Sequence, residues 1–314
     1  MATVEKTAYA GWPNCYRLAN ESIEAIATSD VGPRIIHFGF LGKENEFQLM
    51  AGQAGLVGGE AFRLYGGHRL WHAPEDPQRT YYPDNEPIFC QIEGDSILLR
   101  QPVERTTGIQ KEIEIQLFAD HPGMQVTHRL INRNLWEVEL APWALSVMAA
   151  GGTAILPLPE RIPWPARLLA GSSLALWSYT DLSDPRWTWG EKFILLRQDQ
   201  AALRPQKIGL LNEAGWLAYA RNGHLFVKCF TYQPAARYPD LNSSAEVYTD
   251  QVFLELETLG PIRGLAPGGA VEHREHWFLF AGVASPLNDQ QVSEQALPRV
   301  SQALAWKTEL EAIE

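Results

Sequence analysis

Glu255 and Glu257 stand two residues apart in Phe253-Leu-Glu-Leu-Glu-Thr-Leu-Gly-Pro261. Read as a strand, with side chains alternating, this stretch puts Leu254 and Leu256 on one face and Phe253, Glu255 and Glu257 on the other. Two carboxylates side by side on a strand face repel, and partial burial raises the pKa of at least one. Such a pair is kept where the charges meet a cation, a donor array or a substrate, and a carboxyl tuned toward neutral pH is what a general base requires. Solvated glutamates on an exposed face are the common alternative. The apolar company of this pair and the Gly260-Pro261 stop favour a site.

A second concentration of chemistry lies in Tyr65-Gly-Gly-His-Arg-Leu-Trp-His-Ala-Pro-Glu-Asp76, which packs His68, Arg69, His72, Glu75 and Asp76 together, with Arg79, Tyr81, Tyr82 and Asp84 following. The surrounding residues 51–87 are rich in Gly and Pro and show little periodicity, the pattern of a long functional loop. Gly66-Gly67 would let the backbone approach a neighbour closely. His68 and His72, four apart, would pair as metal ligands only on a helix, which the flanking glycines and Pro74 oppose. With no His-Glu-x-x-His present, no metal site is expected. Arg34 opens a strand after Gly32-Pro33 and is either a surface charge or a planar fork aimed into a pocket. Lys228 shares a strand face with Phe226, Phe230 and Tyr232, as a cation in an aromatic cleft or as a snorkelling surface lysine. His128, on a face with Val126 and Leu130, reads as a satisfied core residue, and His121 as a turn residue.

The elements that must position these groups are mostly strands. Apolar runs at Tyr16–Ala19, Ile23–Thr28, Arg34–Phe40 and Glu46–Leu49 are separated by turn residues, and strand follows strand over residues 88–148 and 192–280, with Glu246–Leu259 read as one run. Residues 149–190 are irregular and Pro-rich. Residues 289–312 read as an amphipathic helix, broken or kinked at Pro298, that caps an open end of a sheet. The expectation is all-β: one large antiparallel β-sandwich domain over residues 1–314 with a short C-terminal helix. Hydrophobic residues make up 46% of the 314, ample for its core, and the 11 Trp, 10 Tyr and 12 Phe suit strands and stacking on sugar faces. A net charge of −11 with no basic run argues against nucleic acid. Cys15, Cys90 and Cys229 lie far apart without a Cys-x-x-Cys, as expected of reduced thiols. With no apolar leader and no run of about 18 apolar residues, the expectation is a cytoplasmic protein with no membrane span. No cofactor is expected, for the chain carries no nucleotide-binding glycine motif, P-loop or Gly-x-Ser-x-Gly elbow.

Several of these segments, in this order, resemble the galactose mutarotase-like (aldose 1-epimerase-like) superfamily, most closely a bacterial branch of it. They are Gly32-Pro-Arg-Ile-Ile36, Gly66-Gly-His-Arg-Leu-Trp-His-Ala-Pro-Glu75, Trp177-Ser-Tyr-Thr-Asp-Leu-Ser-Asp-Pro-Arg-Trp187, Glu246-Val-Tyr-Thr-Asp250, Leu254-Glu-Leu-Glu-Thr-Leu-Gly-Pro261 and Leu265-Ala-Pro-Gly-Gly269 leading into His273-Arg-Glu-His-Trp277, together spanning residues 12–282. The resemblance implies a supersandwich of antiparallel sheets with a sugar-sized cleft on its concave face. It implies general acid/base opening of the sugar ring, with Glu257 as the base and Glu255 its neighbouring candidate. By position His68 corresponds to the family's first His, with Arg69 beside it as a donor to sugar hydroxyls. The family's His-x-Tyr-Phe-Asn motif corresponds here to Ala141-Pro-Trp-Ala-Leu-Ser-Val-Met148, which has no His: either His68 or His72 takes the acid's place, or the cleft binds without catalysing mutarotation, or the chemistry is different. The expected protein is an epimerase acting on a free or phosphorylated sugar, anchored by Arg34, Arg69, Glu255, Lys228 and Trp71. The alternative is a carbohydrate-binding protein of this fold without catalysis; a lyase or hydrolase domain rests on fold analogy alone.

Overall fold

A computed structural model describes residues 2–312. Two antiparallel sheets of 11 and 10 strands lie face to face. The first runs Thr3–Tyr9, Trp12–Ala19, Ile23–Thr28, Arg34–Phe40, Gly67–Ala73, Val138–Met148, Leu254–Leu259, Ala245–Thr249, Gln206–Leu210, Leu174–Leu176, with Arg263–Leu265 against one end of Val138–Met148. The second runs Trp187–Trp189, Phe193–Arg197, Thr153–Pro157, Trp216–Arg221, His224–Phe230, Ala270–Ala281, Gly123–Asn132, Ile109–Leu117, Ser96–Arg100, Phe89–Glu93. The expected all-β sandwich is thus the architecture observed. Among the described residues no helix is long and apolar enough to cross a membrane.

The core forms where the inward side chains of both sheets meet. Leu254 and Leu256 from the carboxylate-bearing strand enter it with Leu70, Met148, Val247, Val126 and Leu130. At its middle Phe38, Phe47 and Phe226 surround Trp277 at centroid distances of 5.7, 5.6 and 5.5 Å. Burying one Leu side chain here stabilises the fold by about 1.5–3 kcal/mol, which fixes the register of each strand, since a slip of one residue would exchange its two faces.

Four sequence expectations are revised. The 51–87 stretch is not a continuous loop, because Gly67–Ala73 is a central strand lying between Arg34–Phe40 and Val138–Met148. It is buried along its whole length, and its polar residues occupy positions where alternation normally shows apolar ones. The close approach expected of its glycines is real: a Cβ on Gly66 would lie 2.0 Å from the Gln48 carbonyl oxygen, and one on Gly67 2.2 Å from that of Ile35. Glu246–Leu259 is two strands, because Asp250 Oδ1 accepts from the backbone N–H groups of Val252 (2.7 Å) and Phe253 (3.0 Å) and turns the chain back. Glu46–Leu49 makes only isolated bridges, at Phe47 and Leu49. The C-terminal helix lies across the outer face of the second sheet and caps no sheet end. Val292, Ala296, Val300 and Ala303 pack on Val227, Cys229, Phe278 and Phe280. It is Leu297–Glu311, with Pro298 in its first turn, preceded by a π turn over Val292–Ala296.

Leu256→Ala is expected to lower the unfolding free energy by about 2–5 kcal/mol, the range for a buried Leu whose cavity cannot collapse, read as a shift of the urea midpoint.

Candidate functional site

Alternation along five neighbouring strands gathers one set of polar side chains on the face of the first sheet turned away from the second. The pairing register places Glu246 opposite Glu257, Tyr248 opposite Glu255, and Leu145 between Glu257 and Arg69. Lys207 reaches across from the next strand, where it pairs with Tyr248. Its Nζ lies 2.9 Å from Glu257 Oε2 and 2.8 Å from Glu246 Oε2. The ammonium stands 4.8 Å from the Trp143 ring and 4.7 Å from the Trp177 ring, a cation held between aromatic faces. Trp143 Nε1 donates to the same Glu257 oxygen at 2.8 Å. Arg69 lies 3.3 Å from Glu255 Oε1 and stacks on Trp71, its guanidinium 4.0 Å from the ring centroid. Trp71 in turn meets Trp143 and Tyr81 edge to face, and the Tyr81 hydroxyl donates to Glu75.

The charges are not balanced within this cluster. Burial pushes the Glu255 carboxyl up to about 7; Arg69 opposes the rise and Glu257 adds to it. Burial likewise pushes Glu246 well above the ordinary carboxylate range, with Lys207 pulling the other way. Burial would lower Lys207, but Glu246 and Glu257 together hold it well above its ordinary value. Among the described residues Glu257 Oε1 has no hydrogen-bond donor, whereas Glu246 is held by the Lys207 ammonium at 2.8 Å and by the Asp240 carboxyl. Buried acceptors without donors are costly and mark a place where a ligand's donors would be welcome.

The structure thus brings Glu255, Glu257, Arg69 and Trp71 together. It does not bring His68, His72 or Lys228 to them. Residues 68, 70 and 72 share the face that carries Leu70 into the core, so 69 and 71 take the other; the period of two decides this. His68 Nε2 lies 2.7 Å from His128 Nε2 on the second sheet, and its Nδ1 lies 2.9 Å from Ser146 Oγ. His128 donates from Nδ1 to the His273 carbonyl at 2.9 Å. Burial, then the Lys228 charge, drives His68 well below its ordinary value. His72 faces Glu104 at 3.6 Å, also between the sheets. Lys228 is wholly buried, 3.1 Å from Glu275 and donating at 3.3 Å to the Leu256 carbonyl. Burial raises the Glu275 carboxyl, but Lys228, His128, His273 and the Thr258 hydroxyl together leave the group lowered. With Thr258 donating to Glu275, this interior cluster grips the strand of Glu255 and Glu257 from behind. Arg34 is beside Arg69 in register, yet its Nη1 and Nη2 donate to the Leu64 and Gly66 carbonyls (3.1 and 2.9 Å) and to Asp84 (2.7 Å).

His68, His128 and Glu275 offer three ligand atoms within 4.8 Å of one another. They do not suit a divalent ion: the two Nε2 atoms are joined to each other, and the Lys228 ammonium lies 3.1 Å from Glu275. The expectation that His128 is a core residue agrees with this placement.

Sequence reasoning missed Lys207, Glu246, Trp143 and Tyr248. Glu246-Val-Tyr248 repeats the polar–apolar alternation of Glu255-Leu-Glu257, and reading two strands where one was expected would have set the pairs opposite each other. No comparable signal singles out Lys207.

No family model matches the sequence, and no curated protein does. Solved structures match at low identity. The chain superposes over 85% of its length on the whole (100%) of a galactose mutarotase-like protein from Lactobacillus casei, with 9% identity and a TM-score of 0.57. Over 87% it superposes on the whole (100%) of a galactose mutarotase related enzyme from Lactobacillus acidophilus, with 9% identity and a TM-score of 0.53. It also covers 46% of a TPR-domain containing protein from Parabacteroides distasonis, using 84% of its own length, at 14% identity and a TM-score of 0.55. The chain therefore spans about half of that last protein. At such identities the likeness is one of fold, and the fold is galactose mutarotase-like.

Lys228→Met is expected to destabilise the protein by about 3–5 kcal/mol, because it strands the Glu275 charge in the interior; chemical denaturation measures it. Between the sheets burial raises Glu104, but Lys111, 2.5 Å away, and His72 together hold it down at about 2. Its stabilising contribution is therefore full above about 4.5 and is lost as pH falls through about 2. The acid limb of stability against pH should be shallower in Glu104→Gln.

Proposed function

We propose that the site on the outer face of the first sheet acts on a sugar and interconverts its anomers by general acid/base ring opening. What carries this reading is the Glu255–Glu257 pair set side by side between Arg69, Lys207 and the rings of Trp71 and Trp143. Glu257 is the base: its Oε1 has no partner among the described residues and is free to take the proton from the anomeric hydroxyl. Glu255, held up to about 7, is the acid that protonates the ring oxygen. This replaces His68 and His72, which face the other way. The ring C–O bond then breaks, the C1 carbonyl turns, and the reverse proton transfers close the ring on either face, leaving both carboxyls as they began. Trp71 and Trp143 offer flat apolar surface to the sugar's C–H face, and Arg69 donates to its hydroxyls. The galactose mutarotase-like fold supports the reading as analogy.

One observation favours a second reading, binding without turnover. Glu246 and Glu257 have 0% exposure, with Trp177 over Lys207 above them. A cover that does not open would leave a sugar resting on Trp71 and Glu255 without reaching the base.

The test is anomer exchange, followed by NMR, on a panel of free and phosphorylated aldoses. The expected result is acceleration that Glu257→Gln lowers by about 10²-fold or more, the range for loss of a general base. Activity should fall as pH rises through about 7, where Glu255 loses its proton, and Glu255→Gln should abolish that limb. Ligand-induced shifts with no acceleration would assign the protein to the binding class.

A further inference from the structure

Ten of the 22 large apolar side chains exposed among the described residues lie between Ile162 and Leu203, so this exposure is gathered on one stretch rather than scattered. Residues 160–170 are exposed without a break. Within them Trp164, Leu168 and Leu169 are 83, 76 and 84% exposed. Arg161, Gly171 and Ser172 share the walls of one cavity with Thr188 and Trp189, which sets the segment beside an edge of the second sheet.

On that side of the sandwich both sheets end without protection. Leu174–Leu176 is the outermost strand of the first sheet and Trp187–Trp189 that of the second. Trp187 Nε1 donates to Gln206 Oε1 at 3.2 Å, so the two edges lie together. Edge strands commonly carry charges that discourage further pairing. At the opposite ends of the sheets, Thr3–Tyr9 carries Glu5 and Lys6, and Phe89–Glu93 carries Glu93. Leu-Ala-Leu and Trp-Thr-Trp carry none. The backbone of the first edge is open. The Ser173 carbonyl accepts from Leu211 N, and Ala175 stands opposite Gly209. Bonded pairs alternate in an antiparallel ladder, so Ala175 bonds inward, and the N–H and C=O groups of Leu174 and Leu176 point outward.

Charge decides which occupant fits. The chain carries a net −11, so its copies repel. Residues 158–190 hold three acids, Glu160, Asp181 and Asp184, against Arg161, Arg167 and Arg186. The stretch is neutral as a set, and the acidic excess lies elsewhere on the chain. A basic partner would be drawn to that excess, whereas a second copy of this chain is repelled least here. We propose that two copies of the chain meet on this face about a two-fold axis, with Ala175 opposite Ala175. Leu174 of each copy pairs with Leu176 of the other, joining two 11-stranded sheets edge to edge. Trp164, Leu168 and Leu169 supply the apolar contact that such an interface needs around the paired strands.

Sedimentation velocity on the full chain over a concentration series tests it. The expected result is a dimer with a dissociation constant in the micromolar range or below. Leu168→Glu combined with Leu169→Glu, both at exposed positions, should weaken association about tenfold or more and leave the circular dichroism unchanged. Leu174→Pro removes one outward N–H, which an edge strand tolerates, and should weaken association likewise. If that variant does not fold, the glutamate pair carries the test. Leu135→Glu, at an 89% exposed residue of another turn, should leave the dimer intact. A monomer up to about 100 µM would overturn the proposal. So would a dimer that survives both variants, or one that Leu135→Glu also breaks. A monomer that sediments with phosphatidylcholine vesicles, and fails to in the glutamate variant, would overturn it too and assign the face to a lipid surface.

Discussion

Two carboxylates facing each other across neighbouring strands repel by roughly 3 kcal/mol at about 5 Å and an effective dielectric near 20. Glu246 and Glu257 are such a pair, and both are buried. The Lys207 ammonium, within 2.9 Å of each, is what allows the Ala245–Thr249 and Leu254–Leu259 hairpin to keep its register. Around that cation the rest of the face is arranged. Trp143 and Trp177 cover it, Trp143 shares Glu257 with it, and Glu255 is left to Arg69. One ammonium serving two buried carboxylates is an incomplete neutralisation. Burial first, and the neighbouring Glu257 charge after it, raises the carboxyls of Glu246 and Glu255.

Behind the same strand a second polar cluster does structural work. Lys228, Glu275, Thr258, His273, His128, His68 and Ser146 join the two sheets through the core. Polar groups in a sandwich interior are tolerated only when satisfied. The Lys228–Glu275 pair, the hydroxyls and the neutral imidazoles meet this condition in a closed chain. The central strand therefore carries carboxyls on one face and rests on an ion pair through the other. That arrangement limits how far Glu255 and Glu257 can shift.

Much was legible in the chain itself. The alternation Leu-Glu-Leu-Glu identified a strand with two faces and set Glu255 and Glu257 together, because a period of two is local geometry. The density of short strands announced an all-β sandwich, and the ordered motifs, compared with a known family, its kind. Arg69 and Trp71 were singled out by their residue types, and they do stand on the same face as the pair. His68, His72 and Lys228 lie away from that face for one physical reason. Chemistry-bearing residues were sought in what read as a loop and an open cleft, whereas Gly67–Ala73 is a strand buried on both faces. In such a strand polarity no longer tells inside from outside.

What the sequence by itself determined is therefore local: strand character, the carboxylate pair, the aromatic supply and the excess of acid. What only the tertiary structure decided is which side of each sheet a polar residue serves and which distant residue answers its charge. Lys207 lies 50 residues before Glu257, and nothing in their spacing links them; only strand order and register bring them together. The physical reason is that alternation gives each residue a face relative to its neighbours, while the core, assembled from both sheets, chooses which of the two faces turns inward.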